Sequence, residues 1–362
     1  MKNTLFGAIA IASTLAVCPA LAEEHLEWPY IEGELSLEFE TDSVSSSDDP
    51  TLELVDSYVT FELGFTAHLN EIFSVNVGLV LEPVLDPLPM TDRFLEDHGL
   101  YAEVLNLQID HNDTSIVIGK FGPGFGLAWD YTPGVYGVDL AEDYELAEFL
   151  GFGIAHMVGL PTGGSVTFGF NAFTADTTFL SNSLITERGQ TRRADGGAGN
   201  TGKLDNFSVT VDGKGGDLVP GLMVHVAVRS LGAGVGDFDR EFGVALGARK
   251  EWELADNKAI ALIGEVVILK NAFAGPDTVR YGTLGAEIAH GPWHGEIAGT
   301  MRRTAFAAGG QQHDFLYHAS AGHTWENGVD LSLGYAITRD ANVDAHIIGF
   351  VVSKAIEFKF GS

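Results

Sequence analysis

The chain is 362 residues long, 45% apolar and only 19% charged, yet it carries a formal net charge of −30 and 45 glycines. An acidic balance of this size excludes a nucleic-acid partner, which needs a basic footprint, and strand-forming residues along the whole chain exclude a disordered acidic tail. The one cysteine, Cys18, excludes a disulfide framework.

The first element is a targeting segment. "MKNTLFGAIAIASTLAVCPALA" has a basic start at Lys2, an apolar core from Leu5 to Val17 and a small-residue A-L-A at Ala20 to Ala22. This pattern predicts a secretory signal peptide over residues 1–22, cleaved after Ala22. Its core is too short for a membrane anchor. Lipidation at Cys18 is disfavoured because Val17 is bulkier than the small residue expected before such a site.

Beyond residue 22 no apolar run reaches the ~18–20 residues of a membrane helix. Alternation recurs instead. "SYVTFELGFTAHL" puts Val59, Phe61, Leu63 and Phe65 on one face and Thr60, Glu62, Gly64 and Thr66 on the other. "FSVNVGLVLE", "FGVALGARKEW", "WHGEIAGTMR" and "GVDLSLGYAIT" repeat the pattern; in the last, Leu331, Leu333 and Tyr335 oppose Ser332, Gly334 and Ala336. A period of two means a strand between two different environments.

The connections alternate too. Short ones ("HNDTS", "GLPTGG", "HGP", "ENG") take turns with long ones, among them residues 122–148 and the stretch around Arg188, Arg192 and Arg193. The pattern predicts an all-β transmembrane antiparallel β-barrel over residues 23–362, with about sixteen strands of roughly ten residues, long external loops and short periplasmic turns. A soluble sandwich would need Greek-key connections and would leave this alternation unexplained. The apolar face then points into lipid, the polar face lines a water-filled lumen, and small inward residues such as Gly243, Gly247 and Gly334 suit a hollow interior. Trp252, Trp293 and Trp325 all fall beside short turns, as an interfacial girdle requires. Lys354 lies on the apolar register of Phe350 and Val352, which points to a bulge or to snorkelling.

With its signal peptide, sixteen alternating strands, a long third external loop after "IVIGKFGPGFG" and the closing strand "FVVSKAIEFKF", the chain resembles Gram-negative outer-membrane porins, general or siderophore-uptake. The resemblance is architectural and spans the mature chain. Gly361 and Ser362 depart from the terminal aromatic common in such families. It implies a location in the bacterial outer membrane among lipids and lipopolysaccharide, a homotrimer, and a third loop folded into the lumen.

That loop carries Asp130, Asp139, Glu142, Asp143, Glu145 and Glu148, and no Lys or Arg. Inward strand positions add Glu62, Glu265, Glu287 and Glu296. Carboxylate rings favour cations in a narrow aqueous channel. Arg249 and Arg302, with Arg303 near the rim, are the candidate counter-wall of a transverse field. External carboxylates also suit divalent ions that bridge lipopolysaccharide. The expected function is passive diffusion of small hydrophilic solutes or ions with a cation preference. The alternative is a ligand-specific porin, for instance for a metal–siderophore complex.

An enzyme reading rests on "YHASAGH", where His318 and Ser320 share a strand face and resemble the H-x-S of outer-membrane phospholipases. Their register aims them into the lumen, away from lipid. No Walker-type loop, Rossmann fingerprint or HExxH is present, and His290 and His294 flank a turn, where helical ligand spacing has no meaning. The sequence therefore points to no cofactor and no resident metal.

Overall fold

The computed structural model describes residues 28–255 and 257–361; the signal segment lies outside them. The alternating segments form β1 (Tyr30–Ser47), β2 (Val55–His68), β3 (Phe73–Pro83), β4 (His98–His111), β5 (Thr114–Phe121), β6 (Phe149–Gly159), β7 (Ser165–Ala175) and β8 (Asn206–Lys214). They continue as β9 (Leu222–Leu231), β10 (Glu241–Leu254), β11 (Lys258–Lys270), β12 (Thr278–His290), β13 (Trp293–Ala305), β14 (Gln311–Thr324), β15 (Val329–Asp340) and β16 (Val343–Gly361). Each of these strands pairs antiparallel with its sequence neighbours, and β1 closes on β16 from Tyr30↔Gly361 to Ser47↔Ala345. Closure gives every strand two partners and leaves no edge, one of the two backbone arrangements a bilayer tolerates. No helix among the described residues is long and apolar enough to cross a membrane.

The faces fall as the alternation requires. Leu333 and Tyr335 are 55% and 44% exposed on the outside, whereas Ser332 is 9% and Ala336 0% exposed on the inside. Leu246, Val266, Leu284, Ile297 and Met301 extend the exposed apolar band. Such a band is stable against lipid and a liability in water. At the end holding both termini, Trp252, Trp293 and Trp325 are exposed beside turns, with His323 packed between the last two at 4.5 and 4.7 Å. The connections at this end are short. The three longest, residues 84–97, 122–148 and 176–205, all lie at the other end.

Lys354 pairs in unbroken register with Leu37, so there is no bulge there; the only shift in this ladder is at Val44/Ser46. Lys354 also pairs with Val329, the first residue of β15. That places it at the membrane boundary, where a snorkelling ammonium reaches water.

The lumen is not hollow. Residues 122–148, here loop 3, fold inward and pack Phe125, Ala128, Tyr144 and Leu146 against Ala227, Ala245, Val267, Leu269 and Tyr281 of β9–β12. A second contact sets Tyr136, Val135 and Leu140 against Val44, Leu316, Ala336 and Ile347. The glycines expected to widen the bore are seats for this loop instead. A Cβ on Gly243 would meet Phe125 at 2.9 Å, one on Gly247 would meet Leu127 at 3.1 Å, and one on Gly334 would meet Val135 at 2.9 Å. Removing the side chain from the wall is what lets loop side chains approach the strand backbone.

Candidate functional site: an acidic slot beside loop 3

Loop 3 is held by polar anchors as well as apolar packing. Its one α-helical turn, α1 (Ala128–Tyr131), starts over Glu265 of β11. Leu127 N–H donates to Glu265 Oε2, Ala128 N–H to Oε1 at 3.2 Å, and the Tyr144 hydroxyl to Oε1 at 2.7 Å. A carboxylate is the natural acceptor for exposed backbone donors at a helix start. Glu265 is therefore a loop anchor and not the free inward charge its register suggests. Further along, the Tyr136 hydroxyl donates to Asp42 at 2.5 Å, Gly126 N–H donates to His225 Nε2 at 3.0 Å, and Arg229 donates to the Tyr144 carbonyl at 2.5 Å.

The eight expected site residues fall into different environments. Arg302 does not stand as an open counter-charge. Its guanidinium binds Asp143 at 2.8 Å, Asp314 at 3.1 Å and also Asp340, and the Tyr281 hydroxyl adds a bond to Asp143 at 2.9 Å. Asp143 is thereby part of the loop's fastening. Arg249 pairs with Glu251 at 2.9 Å and lies 5.3 Å from the Tyr131 ring centre, while the exposed Arg303 binds Gln311 at 2.7 Å. Glu148, where loop 3 enters β6, is clamped by Lys120 at 2.8 Å and by two nitrogens of Arg188 at 2.8 and 2.5 Å. Arg188 also sits 3.8 Å over the Tyr101 ring, so this loop arginine is locked in place; Arg192 and Arg193 are exposed. Asp139 is 8% exposed, with neither carboxylate oxygen hydrogen-bonded. Burial, then Glu142 and Asp42, hold its carboxyl well above the usual range.

Asp130, Glu142 and Glu145 remain as half-buried loop carboxylates facing the lumen. Burial pushes Asp130 up to about 6; His225 opposes it, and Glu265 and Asp212 add smaller upward effects. Burial with Glu82 and Asp143 pushes Glu142 up to about 7. Burial with Glu103, Asp130, Glu142 and Glu148 pushes Glu145 up to about 9. These neighbours place Glu142 within electrostatic range of Glu82 on β3, and Glu145 within range of Glu103 on β4. Glu62 on β2 lies in turn within range of Glu82, Glu103, Glu38 and Glu34. Both walls of the slot between loop 3 and β1–β4 are thus acidic.

One member of the strand wall escapes a sequence reading. Glu38 shares a face with Glu34, Ser36 and Glu40, opposite Leu35, Leu37 and Phe39, so the alternation of β1 marks it as lumenal just as it marks Glu62. Glu103 is the extra residue of a β-bulge: Gly78 pairs with Val104 and Leu79 with Ala102, so Glu103 has no partner in register. A bulge re-aims side chains across the sheet, and this one turns Glu103 toward the loop 3 carboxylates.

The His318–Ser320 pair lacks the contact a hydrolase needs. The Ser320 hydroxyl donates to Glu296 at 2.6 Å, and both ring nitrogens of His318 are buried without a partner beneath Tyr136. His294 is held between Glu296 at 2.5 Å and Asp330 at 2.9 Å.

No family model and no curated protein sequence matches the chain. Solved structures do. OprB of Pseudomonas putida superposes with a TM-score of 0.62 at 9% identity, covering 90% of this chain and 94% of that one. The outer membrane channel DcaP of Acinetobacter baumannii gives 0.58 at 11% identity, covering 90% and 96%. OpdK (OccK1) of Pseudomonas aeruginosa gives 0.55 at 12% identity, covering 91% and 99%. The chain has the sixteen-stranded barrel fold of Gram-negative outer-membrane porins, with the lipid-facing band that membrane demands.

Proposed function

We propose that this protein is a passive outer-membrane channel for small hydrophilic solutes, with a preference for cations. The observation that carries the reading is the acidic slot: Glu142 and Glu145 on loop 3 stand within electrostatic range of Glu82 and Glu103 on the barrel wall. The nearest cations, Lys120 and Arg188, are occupied by Glu148. Carboxylates on both sides of a narrow aqueous passage lower the energy of a cation there and raise that of an anion. Selectivity then comes from size and charge, without chemistry. OpdK is known with vanillate, a carboxylate. That solute belongs to OpdK, and a carboxylate entering this slot would meet like charge. OmpT of Vibrio cholerae is described in a trimer form, and we extend a homotrimer to this chain on that likeness.

Swelling of proteoliposomes tests the reading. Entry rates should fall steeply with the size of neutral sugars, and lysine should enter several-fold faster than glutamate of similar size. Equal rates for the two amino acids would contradict the cation preference, and absence of swelling with any solute would contradict the channel.

A ligand-specific channel is the second reading. It is favoured by the way loop 4 (residues 176–205) closes over the same slot: Arg188 bridges to Glu148, and Leu184–Ile185 pair with Gly99 and Leu100 of β4. Two loops narrowing one passage leave little room for unselective traffic.

A further inference from the structure

The carboxylates of the strand wall are spaced for a particular kind of cation. Glu38, Glu62, Glu82 and Glu103 come from four consecutive strands, β1 to β4. Neighbouring strands lie ~4.8 Å apart, so the four carboxylates spread over about 14 Å around the wall. They are also staggered along it: Glu38 is level with Thr60, and Glu62, two residues on, is level with Val80. Glu142 and Glu145 line the loop side of the same gap. Among the described residues no three carboxylates or histidines stand close enough to hold one metal ion. A compact divalent cation therefore finds no cage here.

A second observation is that two members of the row stand without a partner. Glu62 is 5% and Glu38 8% exposed, and neither carboxylate has a hydrogen-bond partner in the protein. Three other buried lumenal carboxylates are paired, Glu265 with loop N–H groups, Asp56 with Arg93 at 2.5 Å and Glu241 with Arg229 at 2.7 Å, whereas Asp139 of loop 3, like Glu38 and Glu62, is not. Buried carboxylates left unpaired are costly, and a cation from outside the chain is the partner that would relieve the cost.

We propose that the slot is a binding site for linear organic diammonium solutes of the polyamine class, with Glu38, Glu62, Glu82 and Glu103 on one wall and Glu142 and Glu145 on the other. Ammonium groups separated by a short methylene chain reach carboxylates on different strands at once, and each presents three donors, which Glu38 and Glu62 lack and which add to the Tyr101 hydroxyl already on Glu82. The apolar stem lies between them. This rests on the cation-channel reading and names its solute class.

Titration calorimetry on the detergent-folded barrel tests it with two dications of equal charge, 1,5-diaminopentane and Mg²⁺. The diamine should bind at least tenfold more tightly than Mg²⁺. The Glu62→Gln/Glu103→Gln double variant, with folding checked by heat-modifiable mobility, should weaken diamine binding at least tenfold. Glu142→Gln/Glu145→Gln, on the loop side, should do the same and serves if the strand variant fails to assemble. Equal affinity for the two dications, or diamine binding unchanged in a folded variant, would overturn the proposal. A barrel that conducts with cation preference but binds the diamine no better than Mg²⁺ rejects the solute class and keeps the channel. A barrel that binds the diamine but conducts nothing keeps the site and rejects the channel.

Discussion

Tyr144 of loop 3 donates its hydroxyl to Glu265 of β11 at 2.7 Å, across 121 residues of sequence. Glu265 also takes the backbone donors of Leu127 and Ala128, so one buried carboxylate fixes both ends of the loop's inner segment. Tyr144→Phe removes a charge-assisted hydrogen bond worth about 1.5–3 kcal/mol. Glu265→Ala removes the acceptor of all three donors. Both variants should assemble, with loop 3 less tightly held. Single-channel recording should show larger and noisier conductance, in the order Glu265→Ala above Tyr144→Phe. Conductance equal to that of the parent would mean the loop is held by apolar packing alone.

Arg302 neutralises three carboxylates. Replacing it with Gln leaves Asp143, Asp314 and Asp340 without their cation, at a cost of about 1–3 kcal/mol for a partly buried network that loses one partner. The folded barrel should be less resistant to urea, and its reversal potential should move further toward the cation side. A shift toward anions would show that Arg302 is not acting as the counter-charge of these groups.

The loop carboxylates set a pH dependence. Glu142 and Glu145 have carboxyls raised to about 7 and about 9, each first by burial and then by neighbouring carboxylates. Asp130 is raised to about 6. These groups bind protons more tightly in the folded barrel than in the unfolded chain. They are therefore neutral at pH 5 and ionise progressively between pH 6 and 9. Cation preference should grow over that window, while the loop's seating loses stability from about pH 4 up to these raised values, because the unfolded chain ionises where the folded barrel still holds its protons. Reversal potentials measured at pH 5.5, 7 and 9 check the sign. A preference that is constant with pH would remove these residues from the filter.

The orientation of the faces can be tested at neighbouring positions of β15. Leu333 is exposed to lipid and Ser332 is buried toward the lumen. Lys at position 333, near mid-strand, should cost about 2–4 kcal/mol of stability in bilayers. Lys at 332 gains access to lumenal carboxylates and should cost far less. Reversal of that order would place the wrong face outside.

The barrel could be read from the chain because its signals are local. Alternation over "GVDLSLGYAIT" needs only adjacent residues to distinguish Leu333 from Ser332, and the order of short and long connections fixes the ends. The interior depends on contacts between distant segments. Gly243, Gly247 and Gly334 read as empty space until Phe125, Leu127 and Val135 are seen against them. Arg302 and Glu265 have inward registers, yet only the folded loop shows that both are committed to fastening it. Glu103 reaches the slot through a bulge that no period of two predicts. Loop 3 itself was recognisable from its length, its glycines and its acids; which of those acids are free was not.

The central claim is that the acidic slot beside loop 3 passes cations in preference to anions. Planar-bilayer recording of the purified barrel across a KCl gradient tests it most directly. The account predicts ohmic steps whose reversal potential lies toward that of potassium, with the bias reduced in Glu142→Gln/Glu145→Gln. An unbiased or chloride-selective current, or a folded barrel with no conductance, would contradict it.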